Sequence, residues 1–123
     1  MDLQRPVFLK LSQIHFPAMA LVSILHRVAG VILAIAMPLV VYFLSISLES
    51  RDSYQQLLNH LLTIPIKLLL VLVLWAFGHH VFAGFRLLLI DFYARPVQGR
   101  DSARVVLILS ALSLVLAAWV VLL

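Results

Sequence analysis

The chain has no cysteine. It can form no disulfide and offers no thiolate to an iron–sulfur cluster, so any such cluster in its company belongs to a partner. Charge is nearly as scarce: of 123 residues only 11% are Asp, Glu, Lys or Arg, against about a quarter in an ordinary soluble domain. Five residues are acidic. They show no paired intramembrane carboxylates, and the chain has no internal repeat, so little of an alternating-access transporter is present. The net charge of +4 comes from basic residues scattered over the chain ends and one loop. That distribution speaks against nucleic acid, which asks for a clustered basic face.

Apolar surface fills the sequence instead. Hydrophobic residues make up 64% of the chain and mean hydropathy is +1.14, the composition of an integral membrane protein rather than of a soluble domain, where apolar residues are roughly half. At ~20 apolar residues per crossing, the length suits three spans in a single all-α membrane-anchor domain over residues 1–123. The spans are expected at about 21–48, 66–90 and 105–123. Pro17 marks the approach to the first, and Pro38 within it is expected to remove one backbone hydrogen bond and kink the helix. Gly30, Ala34 and Ala36 are small enough to let another helix come close. The polar stretch from Glu49 to Asn59 reads as an external connection with a short interfacial helix, and Lys67 lies near enough to that side to snorkel. The third span carries no charge, and its Ser110, Ser113 and Trp119 read as packing and interface features.

Arg5 and Lys10 precede the first span, and Arg95, Arg100 and Arg104 follow the second, whereas the first loop has only Arg51, balanced by Glu49 and Asp52. By the positive-inside rule the N-terminus and second loop are expected in the cytoplasm. Residues 1–16 include Asp2 and mixed polar residues where a signal peptide has a continuous apolar core, and they lack the Arg- and Ser-rich pattern of a transit peptide. A bacterial inner membrane is the expected location, with a mature organellar chain trimmed of its presequence as the alternative.

Two polar islands interrupt the apolar runs: Ser23-Ile-Leu-His26-Arg27-Val-Ala-Gly30 and Gly78-His79-His80-Val-Phe-Ala-Gly84-Phe-Arg86. Ionisable groups are costly at membrane depth, so each island is a candidate site. Ser23 and Arg27, four apart, share a helix face, with His26 turned about 100° from Arg27. Arg27 is expected about 9 Å into the span. It can hold a quinone ring or a carboxylate there, or snorkel to lipid phosphate. His80 is expected roughly 15 Å from the cytoplasmic end of its helix, near the bilayer middle and deeper than His26. Its imidazole either binds metal or haem iron or bonds to another helix. Gly84, one turn on, is expected to leave open space for a flat macrocycle. Arg86 shares a face with His79 and can reach a haem propionate or the headgroups. His79 and His80, being adjacent, cannot ligate one iron from opposite sides. His15 and His60 fall outside the spans, so a second axial ligand is expected from another subunit.

The ordered set Arg5-Pro6, Ser23-x-x-His26-Arg27-x-x-Gly30, His80-x-x-x-Gly84-x-Arg86 and Asp91 resembles the cytochrome b556 family of succinate dehydrogenase membrane anchors over nearly the whole chain. The resemblance implies haem b, with His80 as axial ligand to the iron and His26 near the propionates, and a ubiquinone site lined by Ser23 and Arg27. It implies as partners a second small membrane anchor supplying the other haem ligand, an iron–sulfur subunit, and a flavoprotein with FAD. The chain is then a non-autonomous subunit of succinate:quinone oxidoreductase. Leu87 stands where the family often has a histidine, which removes one propionate contact. The rival readings are a fumarate reductase type of the same anchor and a haem-free structural anchor.

Overall fold

Long apolar runs in lipid satisfy their backbone N–H and C=O groups by coiling into helices, since no water is at hand to do so. The computed structural model describes residues 16–93 and 99–123. Among them it has four helices and no strand: α1 (Ala18–Glu49), α2 (Arg51–Leu61), α3 (Ile64–Tyr93) and α4 (Arg100–Leu122). Helices α1, α3 and α4 are long and apolar enough to cross a membrane, which makes this a multi-pass membrane protein with the architecture of a three-helix anchor. Arg5, Pro6, Lys10, His15 and Arg95 lie outside the described residues.

The helix ends follow local chemistry. Pro17 precedes α1, and its carbonyl accepts the amides of Ala20 and Leu21 at 2.9 and 3.1 Å. Pro38 lies inside α1, which stays helical from Ala18 to Glu49. Ser50 caps α2, its hydroxyl accepting the Ser53 amide at 3.0 Å. Pro65 falls in the first turn of α3, where a missing N–H costs nothing. Helix α4 starts at Arg100, ahead of its apolar run, with Asp101 in the first turn bonded to Arg104 at 3.0 Å. An acidic group there suits the positive end of the helix dipole. The apolar runs thus mark less than the helices: α1 runs on to Glu49, α3 passes Asp91 to end at Tyr93, and α4 begins at Arg100.

Helix α3 sits between α1 and α4 and packs against both. Lipid tails are as apolar as leucine, so contact depends on close approach, and small residues allow it. Ala29, Ala76, Ala83 and Ala103 are all fully buried. Val22, Ala83, Ala103 and Val106 form the core where the three long helices meet. By contrast, the most apolar stretch of α1 has no residue buried against the other helices, so most of its surface faces outward.

Candidate functional site

Helices α1 and α3 cross in opposite directions, and each carries a His-x-x-x-Gly sequence: His26 with Gly30, and His80 with Gly84. The two histidine rings stack, centroids 4.2 Å apart and planes 21° apart. Each ring also lies against the other helix's glycine. A Cβ added to Gly30 would stand 3.2 Å from His80 Cε1, and one added to Gly84 would stand 3.6 Å from His26 Nε2. The absence of a side chain at both positions lets the two imidazoles share one interface.

His80 Nδ1 lies 3.2 Å from the backbone carbonyl of His26. A carbonyl oxygen only accepts, so Nδ1 carries the ring proton and donates it. The lone pair is then on Nε2, the nitrogen left for a metal or another donor. His26 Nε2 is buried and has no hydrogen-bond partner among the described residues. Two expectations are corrected here. His26 and His80 lie at one depth, not two: His26 is eight residues past the start of α1 and His80 thirteen short of the end of α3, so the two helix ends are not level and depths counted from each do not compare. The space beside Gly84 is taken by the His26 ring, so it is not open for a macrocycle on that side.

The opposite face of α3 is tied to α4. His79 is fully buried, with Nδ1 2.8 Å from Ser110 Oγ, and Trp75 Nε1 donates to the same hydroxyl at 3.0 Å. His79 Nε2 has no partner among the described residues. Arg86, on the same face as His79, donates from Nε to Ser102 Oγ at 2.9 Å. Ser110 is therefore a packing residue that also joins two polar side chains of α3. Sequence reasoning misses the Trp75–Ser110–His79 cluster, although the i, i+4 spacing of Trp75 and His79 puts both on one helix face.

Three of the expected site residues meet at a small cleft between α1 and α3, of about 40 Å³, lined by Ser23, His26 and Arg86 together with Val22, Ala83 and Leu87. Arg27 is exposed and lies outside it, on the outward surface of α1. The cleft has room for a few waters but not for a substituted six-membered ring. Among the described residues no three His, Asp or Glu side chains converge on a possible metal position. His80 can therefore hold a metal only as one ligand of a centre whose other donors come from elsewhere.

Residues 1–118 match the family model described as succinate dehydrogenase/fumarate reductase transmembrane subunit. The chain is 40% identical over 124 aligned residues to the succinate dehydrogenase cytochrome b556 subunit of Coxiella burnetii (strain RSA 493 / Nine Mile phase I), an alignment covering 98% of this chain and 99% of that protein.

Proposed function

The chain belongs to the succinate dehydrogenase/fumarate reductase transmembrane-subunit family, and from that premise we propose that it is the cytochrome b anchor of a succinate:ubiquinone oxidoreductase in a bacterial inner membrane. Succinate oxidation itself falls to partners: a flavoprotein carrying FAD and an iron–sulfur subunit, whose clusters this cysteine-free chain cannot hold. The work of this chain is to seat those partners on the membrane and to supply residues to the quinone site and to a shared haem b.

The observation that carries this reading is the hydrogen bond from His80 Nδ1 to the His26 carbonyl at 3.2 Å. Metal-ligating histidines almost always donate their other ring N–H to such an acceptor, which fixes both tautomer and ring orientation. Haem suits the donor set, because a porphyrin brings four nitrogens of its own and asks the protein only for axial ligands. When bound, it supplies a one-electron redox centre within the membrane. His80 Nε2 would be one of the protein donors that hold it, and another would come from the partner anchor, for which the outward-facing surface of α1 leaves access.

For the quinone, Ser23 and Arg27 supply the polar contacts. The Ser23 hydroxyl at the cleft donates to one carbonyl oxygen, and the Arg27 guanidinium on the same side of α1 donates to the other and stabilises negative charge there as electrons arrive. The cleft forms only one wall, so the quinone ring lies across its mouth, and partner subunits complete the enclosure.

The test is a dithionite-reduced minus oxidised optical spectrum of the complex purified with this chain. A b-type signal near one haem per chain is expected, lost in His80→Leu while the chain stays in the membrane. Partners intact but no haem would overturn the cytochrome reading and leave a haem-free structural anchor.

A further inference from the structure

His79 is the largest side chain wholly withdrawn from the surface among the described residues, and it is polar. Leucine would fill the same space with no nitrogen to satisfy, so an ionisable residue buried at membrane depth asks for a reason. The haem reading uses His80 and gives His79 no task. Its partners lie away from the α1–α3 cleft: Nδ1 is 2.8 Å from Ser110 Oγ on α4, and the Trp75 ring stacks on the imidazole with centroids 5.8 Å apart. Trp75 gives its N–H to the same hydroxyl at 3.0 Å. One turn on from His79, Ala83 belongs to the core where the three long helices meet, and the backbone of Val22 on α1 acts on the His79 ring.

The next residue bonds in another direction. His80 Nδ1 donates to the His26 carbonyl of α1 at 3.2 Å, whereas His79, about 100° around the helix, is joined to α4. Consecutive residues of α3 therefore hold it to two different helices. Apolar packing is non-directional and lets one smooth face turn over another, but a hydrogen bond weakens steeply once it leaves its line. Ser110 meets two α3 side chains a turn apart, so it resists rotation of α3 at two points along the axis.

The magnitudes show why rotation matters. The tip of a helical side chain lies about 6 Å from the axis, so a turn of about 10° moves it by about 1 Å. A ligating atom must stand within about 0.2 Å of its proper metal distance, and a binding constellation tolerates errors of only about 0.5 Å. A turn of that size is enough to misaim His80 Nε2.

We infer that His79 is a positioning residue for the haem ligand: its bond to Ser110, shared with Trp75, sets the rotation of α3 and thereby the aim of His80 Nε2. The inference rests on the haem reading above and adds to it a residue on the far side of α3 that acts through the backbone.

The test compares His79→Leu with His79→Asn in the intact purified complex. The two side chains have nearly one shape, but the amide of Asn reaches the position of Nδ1 and keeps a bond to Ser110, while Leu suits an apolar interior better. The readouts are the haem reduction potential and the highest g-value of the ferric haem, which follows the orientation of the axial imidazoles. His79→Asn is expected to stay close to wild type in both, and His79→Leu and Ser110→Ala to shift both. A purely packing role gives the opposite order, so His79→Leu matching wild type, or matching His79→Asn, overturns the inference. Should His79→Leu fail to assemble, Ser110→Ala decides alone, and its wild-type potential and g-value would overturn it equally. Wild type without haem, with Trp75 emission still responding to Ser110→Ala, would locate the failure in the haem reading and remove the positioning role with it.

Discussion

His26 and His80 stack across the α1–α3 interface with ring centroids 4.2 Å apart, and the backbone carbonyl of the first holds the ring N–H of the second at 3.2 Å. The pair is a local two-fold arrangement in which each imidazole occupies the space above the other helix's glycine. His26 thereby orients His80 through its main chain and its ring together, and neither contact depends on its own Nε2, which has no partner among the described residues.

The two glycines are not equivalent, and this gives a sharp comparison. A methyl at Gly30 would press on His80 Cε1 at 3.2 Å, closer than ordinary contact, whereas one at Gly84 would meet His26 Nε2 at a comfortable 3.6 Å. Gly30→Ala is expected to push the His80 ring off its hydrogen bond and so lower haem retention or shift the haem reduction potential. Gly84→Ala is expected to leave both unchanged. Equal responses from the two variants in a haem titration and a redox titration would remove the link between Gly30 and the ligand.

Ser110→Ala takes the shared partner away from Trp75 Nε1 and His79 Nδ1. Stranding a buried polar group costs about 1–3 kcal/mol in water-soluble proteins, but interhelical bonds in membranes average nearer 0.6 kcal/mol. A loss of roughly 1 kcal/mol is therefore expected, measured as a lower unfolding midpoint in detergent. Trp75 emission should shift as its N–H loses the hydroxyl, and an unaltered spectrum would mean that the indole finds another acceptor.

At the α3–α4 contact, a Cβ on Gly78 would stand 2.8 Å from both Cβ and Oγ of Ser113, a separation that real atoms do not tolerate. Gly78→Ala should force the helices apart at a cost of about 1–3 kcal/mol. The double variant Gly78→Ala/Ser113→Gly removes the obstacle and should recover most of the loss. Failure of that rescue in a thermal melt would show that Gly78 matters for some reason other than this contact.

For the quinone assignment, Arg27→Leu is expected to impair quinone reduction by the complex while succinate oxidation with a soluble dye acceptor continues. Ser23→Ala removes one neutral hydrogen bond, about 0.5–1.5 kcal/mol, and should raise the quinone KM by up to roughly tenfold with kcat less affected. Equal loss of the dye and quinone activities in Arg27→Leu would indicate failed assembly instead.

Much of the architecture is legible in the amino-acid order alone. Three apolar runs separated by polar segments dictate three helices long enough to span, and Pro17 and Pro65 mark where α1 and α3 begin. The short α2 and the shared face of His79 and Arg86 also follow from composition and helical periodicity. The residues of interest stand out for the same reason, since histidine and arginine are conspicuous in an apolar run. Depth is not legible. His26 and His80, placed at different levels by counting from the apolar boundaries, meet ring to ring because the neighbouring ends of α1 and α3 are not level.

What the sequence determined by itself is what depends on near neighbours along the chain: the helices, their amphipathic faces, the absence of thiolates and the shortage of charge. Only the tertiary structure decided which faces meet. The stacking of His26 on His80, the filling of the space at Gly84, the turn of Arg86 toward Ser102 and the joining of Trp75 to His79 through Ser110 each depend on the offset between two helices. That offset is set by how closely Gly30, Gly78, Ala83 and Ala103 let the backbones approach, a property of the assembled surfaces that no periodicity along one chain segment encodes.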